Sequence, residues 1–261
     1  MPSKRSLDGR RVLVTRPAHQ AEGLCRRIAQ AGGVALRLPT LEIDDCSHDP
    51  AVSEVLARLT DYDLLIFVSP NAVRIGLRAI EAAAGLPPAL PLATVGEGSA
   101  RALQEVLGRG PDRLPETRYD SEGLLALEAL QQMAGQRVLI LRGDGGRTLL
   151  AETLRQRGAV VDYLELYRRV QAPTPPNIDQ LLQQAEVVTT TSGEVLDKLH
   201  QLTPERWRAL LREKPLLVVS PRSEALARQL GFVGPIRLAE HAGDEAMISA
   251  LSDWSNQGFK P

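Results

Sequence analysis

Short β-branched runs alternate with longer amphipathic stretches along almost the whole chain. "VLVT" (12–15) precedes "AEGLCRRIAQAGG", "LLIFVS" (64–69) precedes "NAVRIGLRAIEAA", and "ATVG" (93–96) precedes "SARALQEVLG". The short runs are apolar at nearly every position, as strands covered on both faces are, whereas the longer ones carry apolar residues at helical spacing. This alternation predicts an α/β fold with parallel sheets. Such sheets bind ligands beyond the carboxyl ends of their strands. The loops that matter are therefore 15–18, 69–71, 96–99, 142–147, 191–193 and 220–223, and all six carry small, hydroxylated or arginine side chains.

The pattern also repeats. "RVLVTRPAHQAEGLCRRIAQAGGVALRLPTLEI" (11–43) aligns without a gap on "RVLILRGDGGRTLLAETLRQRGAVVDYLELYRR" (137–169) at an offset of 126, which sets Val12 on Val138, Arg16 on Arg142, Gly32 on Gly158 and Val34 on Val160. Downstream, "YDLLIFVSPNAVRIGL" resembles "AEVVTTTSGEVLDKL", and "PLATVGEGSARAL" resembles "PLLVVSPRSEALA". Two copies are too few for a solenoid and predict a pair of similar domains. "RLPTLEI" (37–43) and the proline-rich "YRRVQAPTPPN" (167–177) read as extended connectors at corresponding repeat positions. One domain is then inserted in the other: 1–37 plus 173–261, and 38–172.

Bulk properties narrow the class. Lys and Arg number 31 against 32 Asp and Glu, so no general field favours nucleic acid or an acidic membrane, and anion recognition must come from local arginines. Aromatic residues are only 3%, too few for base-stacking platforms. Cys25 and Cys46 lie outside any metal or redox spacing, which suits a reducing compartment. With no signal-peptide h-region and no apolar run of membrane length, the expectation is a soluble cytoplasmic protein.

"LRGDGGRTLL" (141–150) raises the question of a phosphate loop, since bare backbone amides before a helix favour an anion. A Walker loop, however, needs Lys followed by Ser or Thr, and here Arg147 stands in that register. "VGEGSAR" offers two glycines of a dinucleotide fingerprint, but Arg101 replaces the third, where close packing is required. His19, His48, His200 and His241 have no metal-ligand spacing, and no nucleophile elbow is present. Ser69, Ser99, Ser192 and Ser223 read as helix N-caps, positions that also suit carboxylate binding. Arg16, Arg142 and Arg222 follow strands, where a guanidinium fork can take a carboxylate. Tyr167, at a crossing, offers a phenol to a cleft between the domains. A non-catalytic receptor closing on an anionic metabolite and a nucleotide-dependent enzyme share these features in part.

Taken together, "VLVTRP", "LPTLEI", "RGDGGRTLLAETLRQRGAVVDYLELYRR" and "TSGEVL" resemble the uroporphyrinogen-III synthase family over nearly the whole chain. The resemblance implies two flavodoxin-like domains joined by two extended connectors. It also implies closure of hydroxymethylbilane, a linear tetrapyrrole, with loss of water and inversion of the terminal ring. The reaction would pass through an azafulvene and a spiro intermediate, with no metal and no organic cofactor. The substrate carries eight carboxylates. The expected substrate-binding set is Arg16, Ser69, Asn71, Gly96, Ser99, Arg142, Gly143, Thr191, Ser192, Ser220 and Ser223. Tyr167 matches the family's tyrosine and is expected to assist departure of the hydroxyl. Val68 departs from the threonine that the family often has there. The implied partner is the tetrapyrrole, handed over transiently by hydroxymethylbilane synthase, to a monomer that binds neither nucleic acid nor membrane.

Overall fold

The computed structural model describes residues 6–259. In chain order the main elements begin with β1 (Arg11–Val14), α1 (Ala18–Gln30), β2 (Val34–Arg37), β3 (Leu41–Asp45), α2 (Pro50–Leu56), β4 (Leu64–Phe67) and α3 (Pro70–Ala83). Next come β5 (Leu92–Thr94), α4 (Glu97–Leu107), α5 (Ser121–Ala126), β6 (Arg137–Gly143), α6 (Leu149–Gln156) and β7 (Val160–Gln171). The chain finishes with α7 (Ile178–Gln184), β8 (Val187–Thr189), α8 (Gly193–Leu202), α9 (Glu205–Glu213), β9 (Leu216–Val218), α10 (Pro221–Gln229), β10 (Ile236–Leu238) and α11 (Asp244–Asn256).

These elements form two compact units, Met1–Glu42 with Val170–Pro261, and Ile43–Arg169. The first holds a sheet of order β10-β9-β8-β1-β2 and the second a sheet of order β3-β7-β6-β4-β5. β1 runs parallel to both β2 and β8, and β6 runs parallel to β4 and β7. Successive strand residues point to opposite faces. Leu13 and Val188 accordingly join one core cluster, while Val12, Val14 and Val187 join another. In the second unit Leu65, Phe67, Leu139 and Leu141 pack on one face, and Leu64, Ile66, Val138 and Ile140 on the other. Burial on both faces accounts for the unbroken apolar runs in the sequence.

The stretches read as connectors are partly strand. β7 continues to Gln171 because "YLELYRRV" stays aromatic and β-branched, and the first proline comes only at Pro173. Similarly, β2 and β3 occupy most of 37–43. The unit boundaries lie after Glu42 and after Arg169, a few residues from the sequence reading. Among the described residues no helix is long and apolar enough to cross a membrane.

Candidate functional site

β6 and β7 pair in register up to Arg142 opposite Glu165, then shift so that Gly143 faces Tyr167. The extra residue, Leu166, bulges the strand and turns the Tyr167 ring over Gly143. A Cβ on Gly143 would lie 2.5 Å from Tyr167 Cε2, so only glycine admits the ring there. Tyr167 is buried, and its phenol oxygen lies 2.9 Å from Ser69 Oγ.

Ser69 caps α3, and its Oγ accepts the backbone N–H of Ala72 at 3.0 Å. With that lone pair engaged, the Ser69 proton is available to donate to the phenol oxygen. The phenol proton is then free for another acceptor, and negative charge developing on the phenol oxygen keeps a donor.

Arg142 is 7% exposed. Its Nε donates to the Gly143 carbonyl at 3.0 Å, and its guanidinium carbon sits 4.7 Å from the centre of the Tyr163 ring. Gly146 passes close to the fork in a left-handed conformation (φ +99°), and a Cβ there would meet Nη2 at 2.8 Å. Among the described residues no carboxylate pairs with Arg142. A nearly buried guanidinium without an anion is costly, so its site is suited to receive one. Ser69, Arg142, Gly143 and Tyr167 all line one cavity of about 240 Å³, together with Val68 and Arg147. On its rim Ser121 opens α5, capped by Asp120. The Gly123 N–H, with Arg118 beside it, holds the Asp120 carboxyl below its ordinary range.

In the other unit Thr191, Ser192, Ser220, Arg222 and Ser223 line a groove of about 690 Å³. Ser192 caps α8 by accepting from Val195 N at 3.1 Å. Ser220 caps α10 by accepting from Ser223 N at 3.1 Å. Two helix N-termini thus bring their partial positive charge to one groove. Arg16 lines neither cavity. Its Nη1 donates to the Asp244 carboxylate at the start of α11, and its Nη2 donates to the Ala242 carbonyl. With both ends of the fork engaged, Arg16 stands apart from the other expected binding residues.

Two capping expectations are corrected. Gly96, not Ser99, occupies the N-cap of α4, and Ser99 lies buried in the first turn. Ser220, not Ser223, caps α10, because Pro221 takes the first helical position. Asn71 is the second residue of α3, after Pro70, and lies outside the cavity lining. Tyr163, Asp144 and Ser121 also reach the cavity and were missed. The alternation along β7 did not signal Tyr163, because the register shift near Leu166 breaks it.

These features define a parallel α/β protein whose anion-suited groups collect at strand ends and helix N-termini. The family model "Uroporphyrinogen-III synthase HemD" matches residues 22–249. The chain is 39% identical to the uroporphyrinogen-III synthase of Salmonella typhimurium over 92% of its own length and 99% of that protein's. It is 38% identical to the Escherichia coli protein of that name at the same coverage. The uroporphyrinogen-III synthetase structure from Helicobacter pylori shares the fold at a TM-score of 0.57 and 17% identity, covering 94% of this chain and 99% of that one. The chain belongs to the uroporphyrinogen-III synthase family.

Proposed function

We propose that the chain closes hydroxymethylbilane to uroporphyrinogen III, with loss of water and inversion of the terminal ring. The observation that carries this reading is the Tyr167 phenol, 2.9 Å from Ser69 Oγ in a cavity that also holds the unpaired Arg142. The phenol proton joins the departing hydroxyl as water, leaving an electrophilic azafulvenium cation. Ser69 and the N-terminus of α3 stabilise the phenolate meanwhile. The substituted carbon of the terminal ring attacks, and the spiro intermediate fragments and recloses inverted. The proton finally lost from that ring restores the phenol. Arg142 takes one carboxylate of the substrate. Most of the work is orientation, which by itself supplies several kcal/mol.

The two units are read as flavodoxin-like halves related by an internal repeat. Counted within the first unit, the strands follow the order 2-1-3-4-5, which is the flavodoxin order. β1 and β2 pair Arg11 with Val34, and β6 and β7 pair Arg137 with Val160, the spacing the sequence alignment requires. Arg16 is read here as a brace for α11 rather than a substrate ligand.

A coupled assay tests the activity. Hydroxymethylbilane is generated in situ, the protein is added, and the oxidised products are separated by isomer. Predominant isomer III is the expected result; isomer I alone, as in the protein-free control, would reduce the fold to a binding role.

A further inference from the structure

The four tyrosines of the chain have distinct settings. Tyr62 donates to Asp162 at 3.0 Å, and burial together with that bond pushes its phenol up to about 12, a committed structural group. Tyr119 is exposed, and Tyr167 pairs with Ser69. Tyr163 is different. Its phenol oxygen is buried and has no hydrogen-bond partner among the described residues, yet its side chain lines the same cavity as Arg142 and Tyr167.

The Tyr163 ring also carries two guanidinium groups. Arg142 lies over it at 4.7 Å and Arg155 at 5.7 Å. Arg155 is anchored on the strand backbone, donating to the Val161 carbonyl at 2.6 Å. Arg142 donates through Nε to the Gly143 carbonyl, and among the described residues no hydrogen bond engages its two outer nitrogens. A guanidinium on an aromatic face keeps its donors in the ring plane direction and is weakly hydrated, which suits bidentate capture of a carboxylate. An orphaned phenol in the same cavity is a second donor with nothing yet to donate to.

We infer that Tyr163 is a positioning and specificity residue: its ring fixes the Arg142 fork and its hydroxyl donates to the same substrate carboxylate. The subsite takes one carboxymethyl or carboxyethyl arm of a tetrapyrrole and rests on the reading above. Two donors of different kinds around one carboxylate discriminate against a substrate lacking that arm, because the buried donors are then left unpaired.

The test compares Tyr163→Phe, Tyr163→Leu and Arg142→Ala, each checked for native circular dichroism. The readouts are kcat and KM in the coupled assay, together with calorimetric binding of uroporphyrin III, a stable octacarboxylate. Tyr163→Phe keeps the ring and is expected to raise KM roughly tenfold with kcat nearly unchanged. Tyr163→Leu is expected to raise KM further and to be non-additive with Arg142→Ala, since both remove one fork. If Arg142→Ala weakens binding while both Tyr163 variants bind as the parent does, the role of Tyr163 is overturned and the substrate reading stands. If Arg142→Ala also leaves KM and binding unchanged, the reading of the cavity itself fails. Should Tyr163→Leu not fold, Tyr163→Phe decides alone.

Discussion

Arg16 and Arg142 hold corresponding positions near the carboxyl ends of β1 and β6, and the structure uses them in opposite ways. After β1 the chain reads "RPAHQ" and enters α1 at once, with Pro17 at the N-cap. At the end of β6 it reads "RGDGGRT" and does not become helical until Leu149. Pro17 fixes a backbone angle suited to starting a helix, whereas Gly145 and Gly146 both adopt left-handed conformations that no helix can use. The first unit therefore spends the position on a short, rigid junction and closes Arg16 onto Asp244. The second opens a loop at the same position, and the space left by the missing helical turn is where Arg142, Ser69 and Tyr167 meet. The cavity around Arg142 lies where the strand-to-helix junction gives up regular structure.

This contrast can be broken by substitution. The largest effect is expected from Tyr167→Phe, which removes the proton but keeps the ring over Gly143. It should lower kcat about a hundredfold and change KM little. Unchanged turnover would remove the phenol from the chemistry and leave the loop a binding feature only. Next is Arg142→Ala, for which the loss of a charge-assisted pair should raise KM by roughly 10- to 100-fold. The smallest catalytic effect is expected from Arg16→Ala. Here Asp244 is left without its partner, so thermal or urea unfolding should show a loss of about 1–3 kcal/mol while KM stays near its parent value. If Arg16→Ala instead raises KM as much as Arg142→Ala does, the two positions are equivalent and the contrast drawn above collapses.

How far the sequence reaches can be judged on these same residues. The strands were legible because burial on both faces leaves no polar position in "LLIF" or "VLIL". The Ser69 and Ser192 caps were legible because serine at a strand–helix junction has one common use. Ser99 and Ser223 misled because the helices begin earlier, at Glu97 and Pro221, which leaves each serine inside the first turn. The partner of Arg16 could not be read, since Asp244 lies 228 residues further on and only the fold brings it near. Tyr163 escaped for a related reason. The bulge at Leu166 breaks the alternation along β7, so strand parity gives no guide to whether positions 163 and 167 share a cavity.

The order of the strands has a consequence for how the molecule is made. β1 is the first strand to leave the ribosome, yet its second neighbour, β8, does not exist until the chain has reached Val187. The unit between Ile43 and Arg169 is contiguous and can complete its sheet while β1 waits. Val12, Leu13 and Val14, all fully buried in the finished protein, must therefore stay unpaired on one side through most of synthesis. During that interval the long closure distance slows folding and leaves an apolar edge open to other chains. Of the two units, the one without Tyr167 is thus the one most exposed to misassembly in the cell.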